Sequence, residues 1–279
     1  MELIEHKFQY KNIPIYGWHV QPKEVAGIAV LVHGLGEHSE RYLSDVVPRL
    51  LDCNLVVFSY DNFGHGKSGG KRGHCPDYDA LLQLLDNIIA KARMHFPNNP
   101  VFLYGHSLGG NLVLNYALRF RSDLAGIIAT SPYLRLAFEP PKWKMIIGRA
   151  LLRFWPSFTM SSGLDPEDLS RIATEVIKYK QDPLVHDKVS PMFTFPIQEA
   201  GDWAIDNAHK LRTHVLLIHG TGDNVIDYRG TERFYKNSKR AELRLIEGGY
   251  HELHKDVGCN DTLNMIGVWI NMQMESVAV

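Results

Sequence analysis

Cysteine is scarce in this chain, three residues in 279, and Cys53, Cys75 and Cys259 are far apart with no CxxC spacing. That excludes a disulfide framework and offers no zinc-finger ligand set. An odd, scattered set fits reduced, mostly buried thiols in a cytoplasmic protein. Long apolar runs are missing as well. The longest, such as "VAGIAVLV", fall far short of the roughly 20 residues that cross a bilayer. The charged opening "MELIEHKFQY" lacks the apolar segment of a secretory signal. Neither charge sign is in excess, with 30 Lys and Arg against 31 Asp and Glu, so the basic footprint of a nucleic-acid binder is absent. No repeat or low-complexity tract interrupts the pattern.

What the chain does contain is alternation. "HKFQYKNIPIYGWHV" reads as an antiparallel hairpin turning at "KNIP". After it come compact, β-branched runs at 28–32, 55–59, 101–104, 126–130, 215–218 and 243–247, uniformly apolar as strands buried on both faces are. Helical patterns lie between them: "DYDALLQLLDNIIAKAR" places Leu81, Leu84, Leu85, Ile88 and Ile89 on one stripe. Strand alternating with helix predicts a doubly wound, mostly parallel α/β sheet.

The alternation lapses once, across 132–196, where no convincing strand appears. "KWKMIIGRALLRFW" puts Trp143, Ile146, Ile147, Ala150, Leu151 and Phe154 at helical spacing, with Lys142, Lys144, Arg149 and Arg153 on the other faces. A second helix is expected from "DPEDLSRIATEVIKYK", with Asp165 as N-cap, Pro166 at the first position and Leu169, Ile172, Val176 and Ile177 as its stripe. The division expected is a core of 1–131 and 197–279, with a helical cap inserted at 132–196.

Function enters at "YGHSLGGN". Gly105-His106-Ser107-Leu108-Gly109 is G-x-S-x-G, a short pattern that means little by itself. Its placement between a buried strand and an amphipathic helix gives it meaning. A tight strand-to-helix turn there would hold Ser107 at the carboxyl edge of the sheet, where open α/β folds bind ligands. A serine needs a base, and His251 in "EGGYHELH" follows the last strand. The base needs an acid, and Asp223 in "VLLIHGTGDNVID" follows the strand before it, with Asp227 as the alternate. The order Ser107, Asp223, His251 is that of the α/β-hydrolases. Backbone N–H donors for an oxyanion would come from Leu108, opening the helix, and from Leu35 in "LVHGLGEHSERY".

With these residues in view the chain resembles the monoacylglycerol lipase and lysophospholipase branch of the serine α/β-hydrolases. The likeness rests on "HGLGEHSERY", "YDNFGHGKSGGKRGH", "GHSLGG", "HGTGDNVID" and "EGGYHELHKD", with "DPLVHDKVS" in the cap. The resemblance implies the α/β-hydrolase fold with an inserted lid, hydrolysis of a lipid ester through an acyl-serine, and no metal or organic cofactor. It further implies that Glu37, Arg41 and His254 hold the polar head of a glyceride. Glu40 departs from the family, which has glycine there, and the cap sequence is the chain's own.

Rival chemistries fare worse. "GHGKSGG" fails as a phosphate loop because Asp61 stands where glycine is required, and "HELH" spaces its histidines by three where a zinc protease needs H-E-x-x-H. An aminopeptidase with the same triad would need cap acids to hold an ammonium, for which Glu139, Glu167 and Asp168 are available. A general carboxylesterase and a non-catalytic ligand-binding relative remain as alternatives. The basic, apolar helix at 142–155 suits either peripheral contact with a membrane or packing on the core.

Overall fold

The computed structural model describes residues 2–120, 123–138 and 142–277. Glu139, one of the three cap acids named above, lies outside them, and of Lys142 and Lys144 only the backbone is described. In chain order the elements are β1 (Ile4–Tyr10), β2 (Ile13–Val20), β3 (Gly27–Val32), α1 (Val46–Asp52), β4 (Leu55–Tyr60), α2 (Tyr78–His95), β5 (Val101–His106), α3 (Leu108–Arg119) and β6 (Gly126–Thr130). There follow α4 (Lys142–Phe154), β7 (Met160–Ser161), α5 (Ala173–Gln181), β8 (Lys188–Val189), α6 (Pro191–Asn207), β9 (Val215–Gly220), α7 (Tyr228–Asn237), β10 (Ala241–Ile246) and α8 (Cys259–Val277).

Eight strands form one sheet in the order β1-β2-β4-β3-β5-β6-β9-β10, antiparallel at β1/β2 and β2/β4 and parallel from β4 onward. Period-two alternation divides the side chains between two cores. Ile28, Val30, Val32, Phe58 and Leu103 face α2 and α3, while Ala29, Leu31, Val57, Phe102 and Tyr104 face α1 and α8. Each fully buried aliphatic side chain of this kind contributes about 2 kcal/mol. α2 starts where a capping aspartate permits: Asp77 accepts from the Ala80 N–H at 2.6 Å.

The stretch between β6 and β9 differs from expectation in three places. It contains a short antiparallel pair, Met160↔Val189 and Ser161↔Lys188. Asp165 does cap a turn, accepting from Glu167 N at 3.0 Å, but only a 3₁₀ turn, Pro166–Asp168, follows before α5 begins at Ala173. The residues between are drawn off the helical path by partners in the loop after β10. Glu252 N donates to Leu169 O at 2.8 Å, Ser170 Oγ to Lys255 O at 2.7 Å and Arg171 N to Asp256 Oδ1 at 2.8 Å. Finally, α6 runs unbroken through the expected boundary at 196/197, because its buried face packs along α3 and α7.

Candidate active site

β5 delivers Ser107 to the carboxyl edge of the sheet and α3 carries the chain away. The turn is sharp enough to put Ser107 at φ 52°, ψ −113°, a left-handed conformation that costs a non-glycine residue 1–2 kcal/mol or so. Three backbone bonds hold it there: Ser107 N donates to Thr130 O at 3.0 Å, and Ser107 O accepts from Asn111 N at 3.0 Å and Tyr133 N at 2.9 Å. The flanking glycines are required by space. A Cβ on Gly109 would lie 2.0 Å from Val32 O, and one on Gly105 would lie 2.3 Å from Gly109 O.

The loops after β9 and β10 bring Asp223 and His251 together, with the His251 Nδ1 donating to Asp223 Oδ2 at 2.7 Å. The other carboxylate oxygen accepts from Val225 N at 2.8 Å and Ile226 N at 2.9 Å. Burial opposes the Asp223 charge, but His251 and, with it, His219 outweigh it and hold the carboxyl far below its ordinary range. Burial also disfavours protonated His251, yet the Asp223 charge beside it wins and raises the imidazole above its ordinary 6.5. Asp227 is engaged elsewhere, capping α7 by accepting from Arg229 N at 3.0 Å. Ser131 Oγ donates to His251 O at 2.8 Å and holds the backbone there from behind.

Ser107 and His251 open onto one cavity of about 510 Å³, together with Leu35 and Glu37. Its walls are largely apolar, with Tyr133 beside the serine turn and Met145, Ile147, Leu164, Phe193 and Phe195 farther along the stretch between β6 and β9. Leu108 is buried as the first residue of α3, where helical N–H groups have no partner within the helix. Asn62 N donates to His33 Nε2 at 2.9 Å, so His33 Nδ1 carries the proton and donates to Gly34 O at 2.7 Å. Since a trans peptide sets C=O and N–H on opposite sides, the Leu35 N–H turns away from His33.

The three residues expected to hold a head group separate here. Glu37 lines the cavity, its Oε1 accepting from Gly34 N at 2.6 Å and Tyr42 OH at 2.5 Å. Arg41 is absent from the lining. Its guanidinium is spent on two buried carboxylates, 3.2 Å from Glu37 Oε2 and 2.6 Å from Glu252 Oε2, and it stacks 4.6 Å over the Tyr179 ring. His254 is buried behind the wall, stacked on Tyr42 at 4.9 Å and edge-on to His106 at 5.1 Å. Burial opposes ionisation of Glu37, but Arg41 holds it at about 2. For Glu252, burial and the Glu37 charge outweigh the same Arg41 and push it to about 7. Two carboxylates therefore share one guanidinium at the polar end of the cavity.

Several residues of the site were not singled out in the sequence. His219, Ser131 and Glu252 touch the Asp223–His251 pair or adjoin it, and Thr231 holds His219. For His219 a signal existed. It shares a strand face with Val215 and Leu217, and a polar side chain on an inward face needs a partner. Among the described residues no group of three or more His, Cys, Asp or Glu could hold a metal ion.

A serine at a strained strand-to-helix turn, followed in the chain by an acid and then an imidazole at the next sheet edges, belongs to the serine α/β-hydrolases as a class. The family model described as serine aminopeptidase, S33 matches residues 23–258. An abhydrolase domain-containing protein of Dictyostelium discoideum is 34% identical over 95% of this chain, which spans only 28% of that protein's length. Monoglyceride lipase of Rattus norvegicus is 30% identical, covering 86% of this chain and 80% of its own. Among solved structures, monoacylglycerol lipase of Paleococcus ferrophilus is 32% identical with a TM-score of 0.84, covering 98% of this chain and 100% of that one. The chain belongs to this α/β-hydrolase family and, within it, to the monoacylglycerol lipase branch.

Proposed function

We propose that the protein hydrolyses a lipid carboxylic ester, monoacylglycerol foremost, to a free fatty acid and glycerol. His251 takes the Ser107 proton as the hydroxyl attacks the ester carbonyl, and the Leu35 and Leu108 amides receive the oxyanion. His251 then protonates the leaving glycerol, and water repeats the cycle on the acyl-enzyme. Each oxyanion donor lowers the barrier by about 3 kcal/mol. The observation that carries the reading is the 2.7 Å His251–Asp223 pair beside Ser107 in a cavity apolar along its cap and acidic at its other end.

That polarity supports a glycerol head over a phosphate. Glu37 and Glu252 would accept hydrogen bonds from hydroxyls, and Arg41, the cation an anionic head would need, is already paired with both. The aminopeptidase alternative loses support at the cap. Glu167 pairs with Lys180 at 2.6 Å and Asp168 accepts from Asn224 Nδ2 at 3.0 Å, and neither lines the cavity. The test is a panel of monoacylglycerols, lysophospholipids and aminoacyl amides, with Ser107→Ala as control. Monoacylglycerol should be turned over fastest and Ser107→Ala should be inert. A preference for lysophospholipid or amide would overturn the substrate reading, and an active Ser107→Ala would overturn the mechanism.

We further propose that α4 rests peripherally on a membrane and that the protein resides in the cytoplasm, where its free Cys53, Cys75 and Cys259 suit a reducing milieu. Trp143, Ile146, Ile147 and Phe154 are exposed on α4, and Arg149 and Arg153 flank them. No described helix is long and apolar enough to cross a membrane. Ile146 and Phe154, 70% and 80% exposed, lie outside the cavity wall. Ile146→Glu with Phe154→Glu should therefore abolish co-sedimentation with anionic phospholipid vesicles and leave hydrolysis of a soluble short-chain ester unchanged. Undiminished co-sedimentation would end the membrane role.

A further inference from the structure

His219 lies near the end of β9 and is fully buried, four residues before Asp223. Its Nε2 lies 3.1 Å from Asp223 Oδ2 and 3.2 Å from Ile226 O. Both are acceptors only, so Nε2 must carry a proton and donate. Its Nδ1 lies 2.7 Å from the Oγ1 of Thr231, a buried residue of α7 that supplies a hydroxyl to that nitrogen in the neutral ring. The oxygen that receives His219 is the one that receives His251 Nδ1 at 2.7 Å. The Asp223 carboxylate is thus gripped on one oxygen by two backbone amides and on the other by two imidazoles.

We propose that His219, with its ring orientation set by Thr231, is the positioning residue that aims Asp223 Oδ2 at His251. The amides fix one end of the carboxylate, but they leave its plane free to rock about the bond to the chain. A second donor on Oδ2 restricts that freedom. It also divides the charge on Oδ2 between two N–H groups. The proposal rests on the assignment of Asp223 and His251 as the acid and base, and it goes further by making the acid dependent on a residue that touches neither substrate nor base. The spacing H-x-x-x-D is then part of the chemistry.

The experiment compares wild type, His219→Leu, His219→Gln and Thr231→Val, with Ser107→Ala as reference, on a soluble nitrophenyl ester. The proton NMR signal of the His251 Nδ1–H is recorded for each. Misaimed catalytic groups cost up to roughly 100-fold in rate. In His219→Leu, kcat should fall by about 10-fold or more with KM little changed, and the low-field proton should move. Glutamine can present an N–H to the same oxygen, so His219→Gln should recover most of the rate and the signal. Thr231→Val keeps the imidazole but removes the hydroxyl that orients it, and should shift both readouts in the same direction, less far, which keeps the idea testable should His219→Leu not fold. Unchanged kcat and an unmoved proton in Thr231→Val and His219→Leu would overturn it. So would equal losses in the leucine and glutamine variants with the proton unmoved, the mark of packing alone. An active Ser107→Ala would instead indict the mechanism, and the proton signal would still report on His219.

Discussion

At the scale of single residues, the charges around His251 determine a pH profile. Asp223, and after it Glu252 and Glu37, hold the His251 pKa above 6.5 against the opposing effect of burial. A base works only when neutral, so a raised pKa keeps it idle to higher pH. The acid limb of kcat/KM should have its midpoint above 6.5. Glu252→Gln removes a negative charge from beside the imidazole and should move that limb to lower pH. If the carboxyl of Glu252, itself pushed to about 7, were the controlling group, the substitution would erase the limb instead of displacing it. Space gives a second prediction. Gly109→Ala sets a Cβ 2.0 Å from the Val32 carbonyl, which cannot yield without moving β3. The variant should lose at least about 3 kcal/mol of stability, a fall of about 5 °C in Tm by calorimetry, with most of its activity.

At the scale of elements, the cap has two halves with different attachments. α4 packs chiefly on α6, where Gly148 lets it settle on Phe195. The segment from Leu169 onward is tied down firmly. Arg171 makes paired bonds to buried Asp256, at 2.9 Å to Oδ2 from Nε and 2.8 Å from the terminal nitrogen, and Asp256 also accepts from Tyr250 N at 2.9 Å. That carboxylate therefore braces the loop that carries His251. Arg171→Ala should cost about 2 kcal/mol, some 3 °C in Tm, and should lower kcat on a soluble ester more than it raises KM. A loss confined to Tm would show that the loop holds its shape unaided. The same contacts explain why one expected helix divided. The spacing of Leu169, Ile172, Val176 and Ile177 is helical, but local periodicity cannot register a partner some 85 residues away. The sheet strands were legible for the opposite reason. β3, β4, β5, β6 and β9 are buried on both faces, unlike the half-exposed edge strand β10 expected to match them, and their apolar runs announce this without reference to anything distant.

At the scale of the whole molecule, the order of Ser107, Asp223 and His251 could be read because each candidate follows its own strand, and a parallel sheet brings the carboxyl ends of its strands to one edge. The fate of Arg41 and His254 could not be read. Both look like free polar groups in a loop, and only the fold reveals that one is consumed by two carboxylates and the other sealed behind Tyr42. His219 was less legible for a related reason: its partners Asp223, Ile226 and Thr231 meet around its ring only in the fold. Molecule-wide, the stretch between β6 and β9 also begins and ends at neighbouring points. A Cβ on Gly201 would lie 2.5 Å from Leu134 O, so the chain leaves the core and rejoins it at almost the same place.

Neighbouring stumps of this kind invite grafting a foreign lid to change which acyl chains are accepted. The bracing of Asp256 limits where the graft may be cut. A donor segment ending near residue 164 would leave Leu169, Ser170 and Arg171 in place, and the recipient should keep its turnover while its preference follows the new lid. A donor segment that continues past them would take away the brace of its host's own base, and such chimaeras should bind ester yet cleave it slowly, whatever shape of pocket they inherit.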